Sequence, residues 1–183
     1  MLIKDTNWCK QYKHNIDLTD IISNVKLLIS DSYPYRVRPD DTYFDEHKFW
    51  EFDDDNLYNA VNQYHELNAI SQSGMGKLRK GKITIWEMRN NTKLHAHVDS
   101  HVHQGFVIMP LIGKTRTTCH GPIPDPQSNI HNTPYFFELE DYVEDYVEYE
   151  PGQMVVINNT KFVHSVVPLD GYRLALQFPA KHF

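Results

Sequence analysis

From residue 82 to residue 178 this chain is a succession of short extended segments separated by turn formers, and that pattern leaves few folds open to it. Lys82–Arg89 alternates in polarity, Gly105–Ile112 is a largely apolar run broken late by Pro110, and Thr115–Cys119 is a third short segment. A stretch rich in Pro, Asn, Asp and Ser follows at 121–134. Beyond it lie candidate strands at Tyr135–Leu139, Tyr142–Tyr149, Gln153–Ile157, Lys161–Val166 and Tyr172–Phe178. Many short strands with turns between them predict an antiparallel sandwich or barrel. The echo Asp141-Tyr142-Val143-Glu144 and Asp145-Tyr146-Val147-Glu148 is too short for a repeat architecture.

The N-terminal part reads differently. Asp17 or Thr19 can cap a helix running to Ser30, with Leu18, Ile21, Ile22, Val25 and Leu28 as its apolar stripe. Residues 31–55 hold Pro34, Pro39 and several aspartates, which favour loops. A second helix is expected over Asp54–Gln72, ending near Gly74-Met75-Gly76. The Asp53-Asp54-Asp55 run suits the positive N-terminal end of that helix better than a metal. The expectation is one domain over 1–183, with 1–80 as helical and loop support and 81–183 as the β core.

Composition excludes several functions. The chain has 183 residues, a net charge of −6 and no Lys/Arg block, so nucleic acid is a disfavoured partner. No apolar stretch is long enough for a membrane span, and MLIKDTNWCKQYK lacks the apolar centre of a signal peptide. Cys9 and Cys119 are the only cysteines, which argues against a disulfide framework and for a cytoplasmic setting.

Against this background four side chains stand out: His97, Asp99, His164 and Arg173. Residues i and i+2 of an extended segment face the same way, so His97 and Asp99 can reach one metal ion. His164 lies 67 residues further on, just after the turn Asn158-Asn159-Thr160, and must be delivered by the fold. Two imidazoles and one carboxylate are the ligand set that holds Fe(II) on one face and leaves the other positions open. Arg173, Ala175 and Gln177 share one strand face while Leu174, Leu176 and Phe178 take the other. A guanidinium opposite an apolar face suits a polar pocket, where it can grip a carboxylate in bidentate fashion.

These residues resemble the Fe(II)/2-oxoglutarate-dependent dioxygenases, whose motif is His-x-Asp, a distal His, and a basic residue about ten positions later. The resemblance covers roughly residues 80–180. It implies a double-stranded β-helix, a jelly-roll or cupin-like barrel, with helical support from the N-terminal part. It also implies iron at His97, Asp99 and His164, and the distal carboxylate of 2-oxoglutarate at Arg173, with O2 consumed and succinate and carbon dioxide released. The string from Gly152 through His164 to Arg173 is similar to the aspartyl/asparaginyl β-hydroxylase branch, although the Arg-x-His pair of that branch is absent from Gly105–Leu111. The substrate implied is a small molecule or a peptidyl group, with a tilt toward amino-acid-type compounds.

Two other readings compete. His95, His101 and His103 keep the parity of His97 and Asp99, which permits a cupin-type metal site built mainly of histidines, working without a 2-oxo acid. That reading leaves Arg173 without a task. A non-catalytic binding module that keeps only the barrel is the third. Arg89, Gln104 and Trp86 are candidates to touch substrate, and Phe106 and Tyr135 could line the pocket. His120 and His131 fall in loop-like sequence and are expected to be substrate-facing or exposed.

Overall fold

The computed structural model describes residues 1–32, 34, 47–52, 83–90, 92–99, 105–123, 136–159 and 161–180. Its elements in chain order are β1 (Leu2–Asp5), β2 (Cys9–Lys13), α1 (Thr19–Ser30), β3 (His47–Phe52), β4 (Ile83–Arg89), β5 (Leu94–His97) and β6 (Gly105–Ile112). They continue with β7 (Thr115–Pro122), β8 (Asp145–Tyr149), β9 (Gln153–Ile157), β10 (Phe162–Pro168) and β11 (Tyr172–Ala180). Two sheets result. The larger has the order β1-β2-β9-β6-β11-β4-β3 and the smaller β5-β10-β7-β8. Every pairing among the described strands is antiparallel. This is the mainly β, double-stranded β-helix architecture expected of the chain.

Period two sorts the side chains into layers. Inward-facing Cys9, Ile108, Val155, Ile157 and Ala175 of the large sheet meet Cys119, Val147, Tyr149 and Phe162 of the small one. The alternate residues of the large sheet, among them Ile83, Ile85, Met109, Leu174, Leu176 and Phe178, form a second core with Ile21 and Val25 of α1. Its central strands are therefore apolar on both faces, which is why Gln153–Ile157 and Gly105–Ile112 read as near-continuous apolar runs. A third cluster, Ala96, Val98 and Val163, lies behind the small sheet under Phe136 and Leu139.

Several local expectations change. Pro110 does not break β6: it sits where the register with β11 shifts between Leu174 and Ala175, and beyond the Phe106–Ile108 stretch paired with β9. A bulge and a missing neighbour are where a residue without an N–H is tolerated. Phe137–Leu139 is a turn of 3-10 helix rather than a strand, and the strand expected from Tyr142 begins at Asp145. α1 starts at Thr19, whose N–H is accepted by Asp17 Oδ1 at 3.0 Å. The helix expected at Asp54–Gln72 lies outside the described residues.

Three strands fall in the part read as helix and loop. β1 and β2 extend the large sheet at one edge and β3 at the other. The first pair also closes the gap between the sheets. Lys4 Nζ donates to Asp145 Oδ1 at 2.8 Å and to Tyr146 O at 2.7 Å, and Gln11 Nε2 donates to Glu148 O at 2.8 Å. Main-chain acceptors on edge strand β8 are thus satisfied within the chain, which blunts an edge that could otherwise recruit another strand.

Candidate metal centre

β5 and β10 bring the two histidines together, with His164 directly opposite His97 in the antiparallel register. The next pair is Val166 with Leu94, so β5 carries one residue more than β10 over this interval. The bulge resets the alternation. Leu94 and His97 face the pocket together, and His95 does not. His95 Nδ1 instead donates to Glu140 Oε1 at 2.7 Å, and its ring lies edge-on to Phe137. The bulge thus removes His95 from the all-histidine reading, which called on His95 or His101; His101 and His103 lie outside the described residues.

Asp99 follows the end of β5. Its N–H donates to Asn159 O at 3.0 Å, and its Oδ2 accepts from Asn159 Nδ2. The Nε2 atoms of His97 and His164 each stand 3.6 Å from a different carboxylate oxygen of Asp99, and the two imidazole centroids are 4.4 Å apart. Among the described residues these three form the one group of His, Cys, Asp and Glu ligand atoms close enough to share a metal ion, all within 4.8 Å of one another.

The surroundings prepare the three as ligands. His97 Nδ1 lies 2.7 Å from His95 O, and His164 Nδ1 lies 3.2 Å from Phe162 O. A carbonyl only accepts, so each Nδ1 donates to it and each Nε2 is the nitrogen turned toward Asp99. Burial and then the neighbouring His97 push the pKa of His164 down to about 4, so this ring is neutral at physiological pH. Burial pushes the Asp99 carboxyl up, but hydrogen bonding and charge from His97, the His164 ring and the Asn159 amide outweigh it and hold it below its ordinary value. The site therefore brings together two imidazole nitrogens and one carboxylate.

The centre opens into a cavity of about 350 Å³, counting its open mouth, whose lining includes Trp86, Ile157, Asn159, Arg173 and Gln177. Arg173 is 3 % exposed, opposite Met88 on β4. Its NH1 donates to Met88 Sδ at 3.5 Å, its Nε has no partner, and no carboxylate among the described residues pairs with it. A buried guanidinium without a counter-ion is costly, and an anion entering the pocket relieves that cost. The residues fit an iron centre with an acidic co-substrate on two counts: the donor set and this orphaned cation.

Of the residues expected to meet substrate, Trp86 lines the pocket and stacks on Phe49 at 5.2 Å between centroids. Arg89 does not line it. It lies on the strand face opposite Trp86, exposed, with NH2 donating to Glu87 Oε1 at 2.9 Å. Phe106 is half-buried and is not part of the cavity wall. Gln104, Tyr135 and His131 lie outside the described residues. His120 is neither exposed nor in a loop: it belongs to β7, 3 % exposed, between Tyr142 O at 2.6 Å and Ser165 Oγ at 2.8 Å. Sequence reasoning missed Asn159 and Glu140. Asn159 reads from the sequence only as part of a turn, and no motif there singles out Glu140.

Comparison with known proteins supports the fold independently. A prolyl-4-hydroxylase of Pseudomonas putida superposes with a TM-score of 0.58 at 15 % identity, over 97 % of this chain and 94 % of that one. E. coli ycfD superposes with a TM-score of 0.56 at 12 % identity, over 95 % of this chain. The present chain spans 50 % of the length of ycfD. No protein-family model and no curated protein matches the sequence. At such identities the likeness establishes a shared fold.

Proposed function

We propose that the protein is an Fe(II)- and 2-oxoglutarate-dependent oxygenase that hydroxylates a C–H bond of an amino-acid, peptidyl or other small polar substrate. The observation that carries this reading is Arg173, a buried cation with no counter-ion among the described residues, in the same cavity as His97, Asp99 and His164. A simple metal-binding module has no use for that guanidinium, whereas a dicarboxylate co-substrate reaching from the metal into the pocket does. The fold shared with a prolyl-4-hydroxylase agrees with hydroxylation.

When bound, iron supplies the oxidation of the C–H bond, coupled to conversion of 2-oxoglutarate and O2 to succinate and carbon dioxide. The chain supplies geometry. His97 and His164 hold their Nε2 lone pairs in place through the main-chain carbonyls behind them, and Asp99 offsets part of the metal charge. Arg173 orients the distal carboxylate, and Trp86, Leu94, Ile157 and Val166 give the cavity apolar walls that limit water. The aspartyl/asparaginyl branch is supported only by the run from Gly152 to Arg173. We place the enzyme in the cytoplasm, acting on a small-molecule or peptidyl substrate away from nucleic acid and membrane. Both cysteines are free thiols, and among the described residues no helix is long and apolar enough to cross a membrane.

The test is conversion of 2-oxoglutarate to succinate, followed by NMR with Fe(II) and ascorbate in air. Succinate should form slowly without added substrate and faster with the right one, and His97→Ala should abolish it. A folded, Fe(II)-loaded sample that leaves 2-oxoglutarate intact across a panel of free amino acids and peptides would contradict the proposal.

A further inference from the structure

We infer that Asn159 is the positioning residue of the metal centre: it fixes the orientation in which Asp99 presents its carboxylate between His97 and His164. This rests on the reading of His97, Asp99 and His164 as ligands. Asn159 touches Asp99 twice, accepting the Asp99 N–H on its own carbonyl at 3.0 Å and donating its Nδ2 to Oδ2. The carboxylate can only accept, so the amide nitrogen must be the end that faces it. That bond fixes the rotation of the carboxylate, with Oδ1 3.6 Å from His97 Nε2 and Oδ2 3.6 Å from His164 Nε2.

The contact acts across the fold. Asp99 lies past the end of β5 and is not carried by strand pairing, while Asn159 belongs to the short connection between β9 and β10 that leads to His164. One side chain therefore ties the segment bearing the first two ligands to the segment bearing the third. Asn159 is itself fixed: it is 2 % exposed, and the N–H of its neighbour Asn158 donates to Trp8 O at 2.8 Å. Asn158 is comparably buried at 6 % but is not part of the cavity wall, whereas Asn159 is. A partner behind a ligand that fixes its orientation is typically worth a factor of about 10–100 in metal affinity.

The test uses the full chain and Mn(II) alone, with affinity measured calorimetrically and folding checked by thermal unfolding of the metal-free proteins. Asn159→Ala should weaken Mn(II) about 10- to 100-fold, and Asn158→Ala should leave it within about two-fold. A loss of thermal stability in Asn159→Ala with Mn(II) affinity unchanged would overturn the inference, since a purely structural residue behaves that way. Wild type that binds no Mn(II) would overturn the metal reading and this inference together. Should Asn159→Ala not fold, a crystal structure of the wild-type Mn(II) complex decides the matter. Asp99 bound to the metal with its carboxylate still accepting from Asn159 Nδ2 supports the inference; an amide displaced from the carboxylate contradicts it.

Discussion

At the scale of single residues, the centre keeps groups that its own fold would be more stable without. Arg173 is the clearest case, because nothing among the described residues neutralises it. Removing an uncompensated buried charge while keeping the apolar stem relieves a desolvation cost. Arg173→Met is therefore expected to stabilise the ligand-free protein by about 1–3 kcal/mol in urea unfolding, while abolishing 2-oxoglutarate binding. A destabilised Arg173→Met would mean that the guanidinium serves the fold. His164 illustrates the same tension from the other side: burial that makes protonation unfavourable is what keeps its Nε2 ready for a metal.

At the scale of elements, turns and tethers aim the ligands. Between β6 and β7, Gly113 adopts φ +80°, and an added Cβ would stand 2.0 Å from Tyr172 O. Main chain cannot yield as a flexible side chain would, so Gly113→Ala should cost more than about 3 kcal/mol and shorten the native-state lifetime. Glu140 tethers the 3-10 turn to β5. Its Oε1 accepts from Ala96 N–H at 2.9 Å and from His95, and its Oε2 from Lys93 Nζ at 2.8 Å. Burial raises its pKa, but Lys93, the Ala96 N–H and His95 together outweigh this and bring it to about 2, from the ordinary 4.5. The stabilisation is thus fully present above about pH 4.5 and is lost as the pH falls toward 2. Because the pair with Lys93 is partly solvated, Glu140→Gln should cost about 1–2 kcal/mol at pH 7. The mutant and wild type should converge in stability near pH 2. An equal difference at both ends of an acid titration of unfolding would contradict the tether.

At the scale of the whole molecule, two sheets with a helix on one side carry the candidate metal site. The β half was legible because period two persists there, and β6 and β9 lie where alternation and apolar content predict them. The face of Arg173 was also readable, since nothing interrupts β11 between Arg173 and Gln177. What could not be read depends on partners distant in the chain. β1, β2 and β3 are only four to six residues long, and become strands by adding to the edges of an existing sheet. The bulge that turns His95 away has no local sequence mark, and the role of Asn159 exists only once residues 60 positions apart meet. Binding should register globally as well. Mn(II) at a hundred times its dissociation constant should stabilise wild type by about 2.7 kcal/mol, a rise in Tm of roughly 5–10 °C, reversed by EDTA and absent in His97→Ala. The central claim, that one cavity holds a metal and an acidic co-substrate gripped by Arg173, is tested most directly by anaerobic titration of the Fe(II)-loaded protein with 2-oxoglutarate. A weak visible absorption band should grow and saturate in wild type, while Arg173→Ala, retaining its iron, should require at least about 100-fold more 2-oxoglutarate. A folded, Fe(II)-loaded wild type that shows no such band, or an Arg173→Ala titration indistinguishable from wild type, would contradict the account.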